Sequence, residues 1–345
     1  MATQFPIKPE ENGVRWGVVM TASEPLALVE TNVRWHLATG AETVFVFLDD
    51  PNDPSKDTLG AIPNCSVHLC DDHYWNEAKP KNGRPPSQMR RQTINANWAQ
   101  SHCDLDWLFH IDADEFIWQD GNLRSELADH RDPRTELNLP VFERVFPKGQ
   151  LQSLFDGAFR ASSDLTSDQA YAVFGSFASL MKRGQYSHGA GKSGVCVGAG
   201  LRLGVHNATR TGSGGQQRRA AKCVSETARL LHFDGVTPLH WMMKALRYRQ
   251  TSSEVQAKVL QPHRAAQIRW MMERSDTMDS MRQAHRSMFS LTDERRLKLN
   301  AFGLLREVPF KPKGVLGADC PNLDPDAFDT ELFRRTPWLR ELFEE

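Results

Sequence analysis

Residues 21–50, TASEPLALVETNVRWHLATGAETVFVFLDD, decide the fold when read with the apolar run Arg15–Met20 (RWGVVM) before them. RWGVVM reads as a buried strand. Ser23 can cap a helix from about Pro25 to Thr39, with Pro near its start and Gly40 past its end. Leu26, Val29, Val33 and Leu37 recur at helical spacing and predict its apolar face. Thr43–Leu48 (TVFVFL) is β-branched and aromatic, which predicts a second strand. Strand, helix and strand of these lengths form a right-handed βαβ unit with parallel strands.

Outward from this unit the alternation continues. Ser66–Cys70 predicts a short third strand, and Lys79–Pro86 (KPKNGRPP) a loop by its Pro and Gly content. Ser87 is placed to cap a helix to about Ser101, with Ile94 and Trp98 four apart on one side. Asp106–Ile111 (DWLFHI) is a further strand, ending abruptly in Asp112-Ala113-Asp114-Glu115. The pattern predicts a doubly wound α/β sheet. Ten of the 32 residues from Gly184 to Gly215 are glycine, which predicts mobile backbone or backbone close to a ligand. Pro238 to about Arg306 reads as helical, and a tail with Pro309, Pro312, Pro321, Pro325 and Pro337 is expected to wrap the surface. The expected division is 1–235 for the α/β domain and 236–345 for a helical extension and tail.

Composition narrows the function classes. In 345 residues, 42 Lys and Arg face 43 Asp and Glu, so the balance argues against a general nucleic-acid binder. No window approaches the roughly 18 apolar residues of a membrane span. The start, MATQFPIKPEENG, lacks an apolar signal core, so secretion is not expected. Six cysteines, at 65, 70, 103, 196, 223 and 320, form no CxxC and no zinc spacing, and are expected to be reduced thiols of a cytoplasmic protein.

In an open parallel sheet, ligands bind beyond the carboxyl ends of the strands. Acids recur at that edge: Glu24 after the first strand, Asp49 and Asp50 after the second, and Asp112, Asp114 and Glu115 after DWLFHI. Such a cluster repels itself unless cations or hydrogen-bond donors occupy it. With 24 Asp in the chain, three Asp-x-Asp pairs occur, about what chance supplies, but only Asp112/Asp114 directly follows an apolar strand. Extended backbone would point both side chains the same way, toward one cation-bound ligand. Hard oxygen ligands suit Mg2+ or Mn2+ bridging to phosphates. The alternative is that these acids cap the next helix or turn.

The segment 21–50, followed by DWLFHIDADEF at 106–116, resembles the family-two-like glycosyltransferases with the GT-A fold, most of all the bacterial branch with an Asp-x-Asp-Glu-Phe motif. The likeness runs over roughly residues 14–118 and is weaker over 185–250. It implies a mostly parallel twisted sheet flanked by helices, with a helical C-terminal extension. Asp112 and Asp114 would bind the metal and the sugar-nucleotide diphosphate, and Asp49, Asp50 and Glu24 would line the nucleoside pocket. The chain departs from the family at Pro51-Asn52, where Gly-Ser is usual, and at Ser23, where an Asn commonly stands. A later His often completes the metal site in this family, which points to His232 (RLLHFDG) ahead of His206 (RLGVHNATR).

Transfer to a hydroxyl needs a carboxylate to take its proton. Asp234 and Glu115 are the candidates, with Asp164 and Asp168 also available. Basic groups must offset the leaving diphosphate, and Arg91, beside Arg90, and Lys192 are candidates. Gly191-Lys192-Ser193 is no P-loop, because position 186 is Tyr186 and neither a leading strand nor a following helix is evident. His240–Arg249 (HWMMKALRYR) reads as an amphipathic helix packed on the core, with docking on an anionic bilayer as the other reading.

The sequence therefore predicts a metal-dependent glycosyltransferase of hexosyltransferase type. It would use Mn2+ or Mg2+ to move a sugar from a nucleotide-diphosphate donor to a glycan or lipid-linked acceptor. The resemblance suggests work in surface polysaccharide or glycoconjugate synthesis, in the cytoplasm or at the inner face of the membrane. Other readings are a non-catalytic nucleotide- or glycan-binding protein on the same fold, and a nucleotidyltransferase.

Overall fold

A computed structural model describes residues 13–78, 83–247, 260–274 and 277–341. The start of the chain, residues 79–82 of the expected loop and the end of the HWMMKALRYR stretch lie outside the described residues. The chain forms two compact units. The first is Met1–Pro140, Ala190–Leu230 and Lys311–Pro321; the second is Val141–Gly189, Leu231–Phe310 and Asn322–Glu345.

The chain opens with β1 (Trp16–Ala22), α1 (Leu26–Ala38), β2 (Thr43–Leu48), α2 (Lys56–Gly60), β3 (Cys65–Leu69), α3 (Asp72–Ala78) and α4 (Gln88–His102). It continues with β4 (Trp107–His110), β5 (Glu115–Gln119), α5 (Leu123–Ala128) and β6 (Thr135–Leu139). The second unit begins with β7 (Val141–Val145), β8 (Ala158–Ala161) and α6 (Ser167–Phe174). The chain then returns to the first unit with β9 (Lys192–Cys196), β10 (Leu201–Arg202), β11 (Thr209–Thr211), β12 (Gln217–Arg219) and β13 (Ala221–Val224).

The first unit is built on a seven-stranded sheet of order β13-β6-β9-β4-β1-β2-β3. Strands β3, β2, β1 and β4 are parallel, with Gly17 opposite Thr43 and Trp16 opposite Trp107. Only β9 runs against its neighbours β4 and β6. This is the mostly parallel α/β sheet expected. All seven residues of β1 are buried. One apolar cluster joins Val19, Phe45, Phe47, Leu108 and Val195 of the strands to Tyr74, Trp75, Ala96 and Ala99 of α3 and α4. Helix α1 buries Val29 and Val33 of its predicted apolar face, together with polar residues. Leu26 and Leu37 are half-buried, while Thr31, Asn32 and His36 are fully buried. Asn32 Nδ2 donates to the carbonyls of Ala113 and Glu115, and Trp35 Nε1 to that of Ile117. Ser23 does not cap this helix; Pro25 occupies the N-cap with no side-chain bond.

The glycine-rich stretch contains the strands β9, β10 and β11. Its core is β9, where Gly194 faces Phe109 of β4. A Cβ on Gly194 would lie 2.3 Å from Phe109 Cε1, so the glycine makes room for the ring. Gly194→Ala is expected to cost roughly 1–3 kcal/mol by overpacking, read as a lower urea midpoint; an unchanged midpoint would show that the ring has room to move.

In the second unit β7, β8 and β15 (Leu305–Arg306) form an antiparallel ladder. Val145, Ala158, Val173 and Phe174 pack on Leu291, Leu299, Leu304 and Leu305. These pairings join residues 141–189 to residues near 300. Helix α7 (Pro238–Leu246) buries Leu239, His240, Trp241, Met242, Ala245 and Leu246, so the described part of the amphipathic stretch is core. The tail is helical at Pro312–Leu316, Pro325–Arg335 and Pro337–Glu341, each beginning on a proline. The N–H of the first helical position has no partner within the helix, so a proline there forfeits no helical hydrogen bond. Among the described residues no helix is long and apolar enough to cross a membrane. All six cysteines are free thiols.

Candidate active site

Parallel pairing brings the carboxyl ends of β1, β2 and β4 to one edge, with Ala22 level with Leu48 and Val19 level with His110. The acids that follow those strands therefore share one rim of the first unit. Glu24 is half-buried and Oε2 accepts the Ser23 N–H at 2.9 Å. Asp50 is exposed and closes a local turn through the Asn52 N–H.

The rim is not a bare cluster of negative charge. Arg91, on the first turn of α4, grips Asp49 with two parallel bonds of 2.7 Å, and Arg84 adds a third contact at 3.1 Å. The fork of a guanidinium matches a carboxylate, so this pair is directional as well as charged. Arg91 and Asp49, expected as separate donor-binding groups, are thus partners of each other. Lys192 Nζ lies 2.8 Å from Asp112 Oδ2 and 3.2 Å from Glu115 Oε2, and is fully buried. Burial alone would lower its pKa, but the two carboxylates outweigh it and hold the ammonium charged. Gln92 Nε2 donates to the other oxygen of Asp112 at 2.8 Å. The self-repulsion expected of these acids is therefore offset by the protein's own cations.

The acidic motif is a turn and not extended backbone. Glu115 N–H donates to the Asp112 carbonyl at 3.0 Å, and the Glu115 carboxylate folds back onto the Asp112 N–H at 2.7 Å. The expectation that Asp112 and Asp114 point the same way through strand geometry is corrected by this turn. Asp114, at 4% exposure, is more buried than Asp112. Lys192 heads strand β9, with no helix after it. Gly191 before it has φ +77° and no space for a side chain: a Cβ would lie 2.3 Å from the Leu139 carbonyl oxygen.

Sequence reasoning did not single out His110. It is buried, with Nδ1 2.7 Å from the Gly204 carbonyl oxygen, so that nitrogen donates. Burial, with Lys192 nearby, pushes its pKa down to about 4, and the ring is neutral at pH 7. His206 lies in the bend between β10 and β11, where its carbonyl accepts from Ser193 Oγ. A cavity of about 660 Å³ beside α5 and β13 contains none of the rim acids.

The remaining candidates lie in the second unit. Asp234 holds Arg264 through both oxygens, at 2.6 and 3.1 Å. Burial would raise its pKa, but Arg264, Lys244 and His232 together hold it far below the usual carboxylate range. Glu115, the other candidate base, is committed to Lys192 and the Asp112 amide. Asp164 pairs with Arg183 on the surface, and Asp168 lies in the first turn of α6. His232 ends the strand β14 (Ala228–His232), with Nδ1 2.9 Å from Ser187 Oγ.

No family model and no curated protein matches the chain. Its course resembles 127 solved chains, remotely in those described next. HddC from Yersinia pseudotuberculosis is 10% identical with a TM-score of 0.34, over 64% of this chain and 93% of that one. WbbM, a bifunctional glycosyltransferase, is 15% identical with a TM-score of 0.28, over 57% of this chain and 34% of that one. GalNAc-T7, solved with UDP, GalNAc and Mn2+, is 8% identical with a TM-score of 0.34, over 85% of this chain and 57% of that one.

Proposed function

We propose that this chain is a GT-A-like glycosyltransferase that moves a sugar from a nucleotide-diphosphate donor to an acceptor hydroxyl. The observation that carries the reading is the convergence of three parallel strand ends on one rim. Each bears carboxylates, and the last bears the Asp-Ala-Asp-Glu-Phe turn. Ligands of open parallel sheets lie at this edge. The donor set is hard oxygen, which fits Mn2+ or Mg2+. Asp114, with Asp112, supplies the carboxylates proposed to hold the cation. When bound, it would act as a Lewis acid that draws charge from the departing diphosphate.

The chain's own groups prepare that rim. Lys192 and Gln92 fix the Asp112 carboxylate from two sides. Arg91 and Arg84 hold Asp49 at the end of β2, and their positive charge is proposed to offset that of the diphosphate. Exposed Asp50 and half-buried Glu24 are proposed to accept from the hydroxyl or imide donors of the nucleoside. We propose a glycan or lipid-linked acceptor, with the product a surface polysaccharide or glycoconjugate made on the cytoplasmic side.

The test is a thermal-shift screen of nucleoside diphosphates with and without Mn2+, on wild type and Asp114→Asn. A nucleotide at about a hundred times its Kd stabilises by roughly 2.7 kcal/mol. The expected shift appears for one nucleobase, needs Mn2+ and is lost in Asp114→Asn. A product assay then separates the alternatives: nucleoside diphosphate marks glycosyl transfer, pyrophosphate marks nucleotidyl transfer, and binding without turnover marks a binding protein. If no nucleotide shifts the wild type, the proposal fails.

A further inference from the structure

The hairpin β11–β12 in the first unit is not used by the transferase reading, and its charges are all of one sign. From Ala190 to Ser225 the chain holds no Asp or Glu, where the overall frequency of 43 in 345 predicts four or five. That interval carries Lys192, which the rim acids hold, and five further basic residues: Arg202, Arg210, Arg218, Arg219 and Lys222. All five are exposed, and among the described residues none forms an ion pair. Glu136, level with Lys222 on the neighbouring strand β6, is buried and accepts the Ala208 N–H.

Register sets these charges against one another. Arg210 of β11 stands directly opposite Arg218 of β12, while Thr209 stands between Arg202 of β10 and Arg219 of β12. Opposite residues share a face of the ladder and successive residues alternate. One face therefore carries Arg210 and Arg218, and the other Arg202 and Arg219. Like charges directly opposite destabilise a ladder, and an anion bound between the guanidiniums would remove that cost. The turn Gly212–Gln216 bears only Gly, Ser and Gln, so no apolar side chain is there to enter a bilayer. A flat membrane would meet one face of this ribbon, whereas a chain-like polyanion can follow both.

The hairpin also lies away from the acidic rim. β12 leads into β13, whose first residue, Ala221, is level with Thr135, the first residue of β6. β6 runs the same way as β4, since both are antiparallel to β9. The hairpin thus joins the sheet where the parallel strands begin, at the edge opposite the rim. The seven residues of β1 put roughly 20 Å between those edges. A ligand held at the hairpin and reacting at the rim must be longer than one sugar.

We propose that the β11–β12 hairpin, with Arg202, Arg210, Arg218, Arg219 and Lys222, is a docking arm for a linear glycan bearing carboxylate or phosphate groups, held away from its reacting end. Guanidinium forks match both of those anions. A nucleic acid is a linear polyanion too, but the formal net charge of −1 lacks the basic excess of its binders. Naming a glycan rests on the transferase reading above, and makes the acceptor or growing product anionic.

The test measures binding of the full chain to carboxymethyl dextran, dextran phosphate and plain dextran, with phosphatidylserine vesicles and an oligothymidylate as rivals. Wild type should bind a charged dextran and not the plain one, with affinity falling about tenfold between roughly 50 and 200 mM NaCl. Arg210→Gln/Arg218→Gln should lower that affinity about tenfold and flatten its salt dependence. Arg210→Glu places an acid opposite Arg218, so it should keep or raise the melting temperature while binding is lost. No binding of either charged dextran, or unchanged binding in variants that melt like wild type, would overturn the proposal. Tighter binding of the vesicles or the oligothymidylate through the same arginines would overturn it as well. Arginine-dependent dextran binding without nucleotide binding or sugar transfer would support the docking arm and remove the transferase reading. Sugar transfer without charged-dextran binding would do the reverse.

Discussion

Lys192→Met is expected to lower the unfolding free energy by roughly 3–5 kcal/mol, the cost of leaving buried charge without its partner. In the native first unit Lys192 is fully buried against Asp112 and Glu115, and Glu115 is itself fully buried. Removing the ammonium leaves Glu115 charged in a site water does not reach, or forces it to take up a proton. The loss should therefore be greatest near neutral pH and shrink as the pH falls and Glu115 is neutralised. Urea unfolding across pH reads both effects. The double variant Lys192→Met/Glu115→Gln should recover a large part of the loss, because no unpaired charge remains at that position. A single Met variant as stable as wild type would mean that the carboxylates are not held by Lys192. That result would also remove the account of how Asp112 is fixed.

Acid should destabilise the fold well above the carboxylate range, with His36 as a principal cause. His36 Nδ1 lies 2.8 Å from the Asn32 carbonyl and donates to it, while Nε2 accepts the Ile117 N–H at 3.0 Å. Protonation would turn Nε2 into a donor facing a donor. Burial pushes the folded pKa from 6.5 down to about 4, although the Asn32 carbonyl acts the other way. The unfolded chain takes the proton first. The contribution is therefore whole above pH 6.5 and is lost as the pH falls through about 4. A shift of this size corresponds to about 3 kcal/mol. His110, lowered to about 4, and His285, lowered to about 3, are buried and act in the same direction. His36→Gln can offer one donor and one acceptor without titrating, so it should flatten the acid limb of the stability curve. An acid limb identical in wild type and His36→Gln would show that His36 does not carry this dependence.

Periodicity made α1, β1 and β2 legible because local propensity and burial agree there. TVFVFL is apolar and β-branched, and it is a strand buried in the sheet. The same holds for the apolar run before the Asp-Ala-Asp-Glu turn and for the placing of its acids at one sheet edge, since parallel βαβ connection sends successive strand ends to the same side. The glycine-rich stretch and the tail prolines carry less local information, because the same residue serves opposite uses. Gly194 stands inside a strand because an aromatic ring needs the space, and Pro312, Pro325 and Pro337 begin helices.

What the residues alone determined was the set of acids and the order in which the strands deliver them. Which cation meets which acid was decided only by the folded chain. Lys192 lies 80 residues from Asp112, and Arg91 lies 42 from Asp49. Ser187 meets His232 across 45 residues and Glu143 across 44. Such pairings leave no periodic trace, because each depends on two distant segments meeting at a few ångströms. Hydrogen-bond direction depends in turn on which donors are already committed. A carboxylate read as an open ligand, as Asp49 was, can then prove to be held by two arginines.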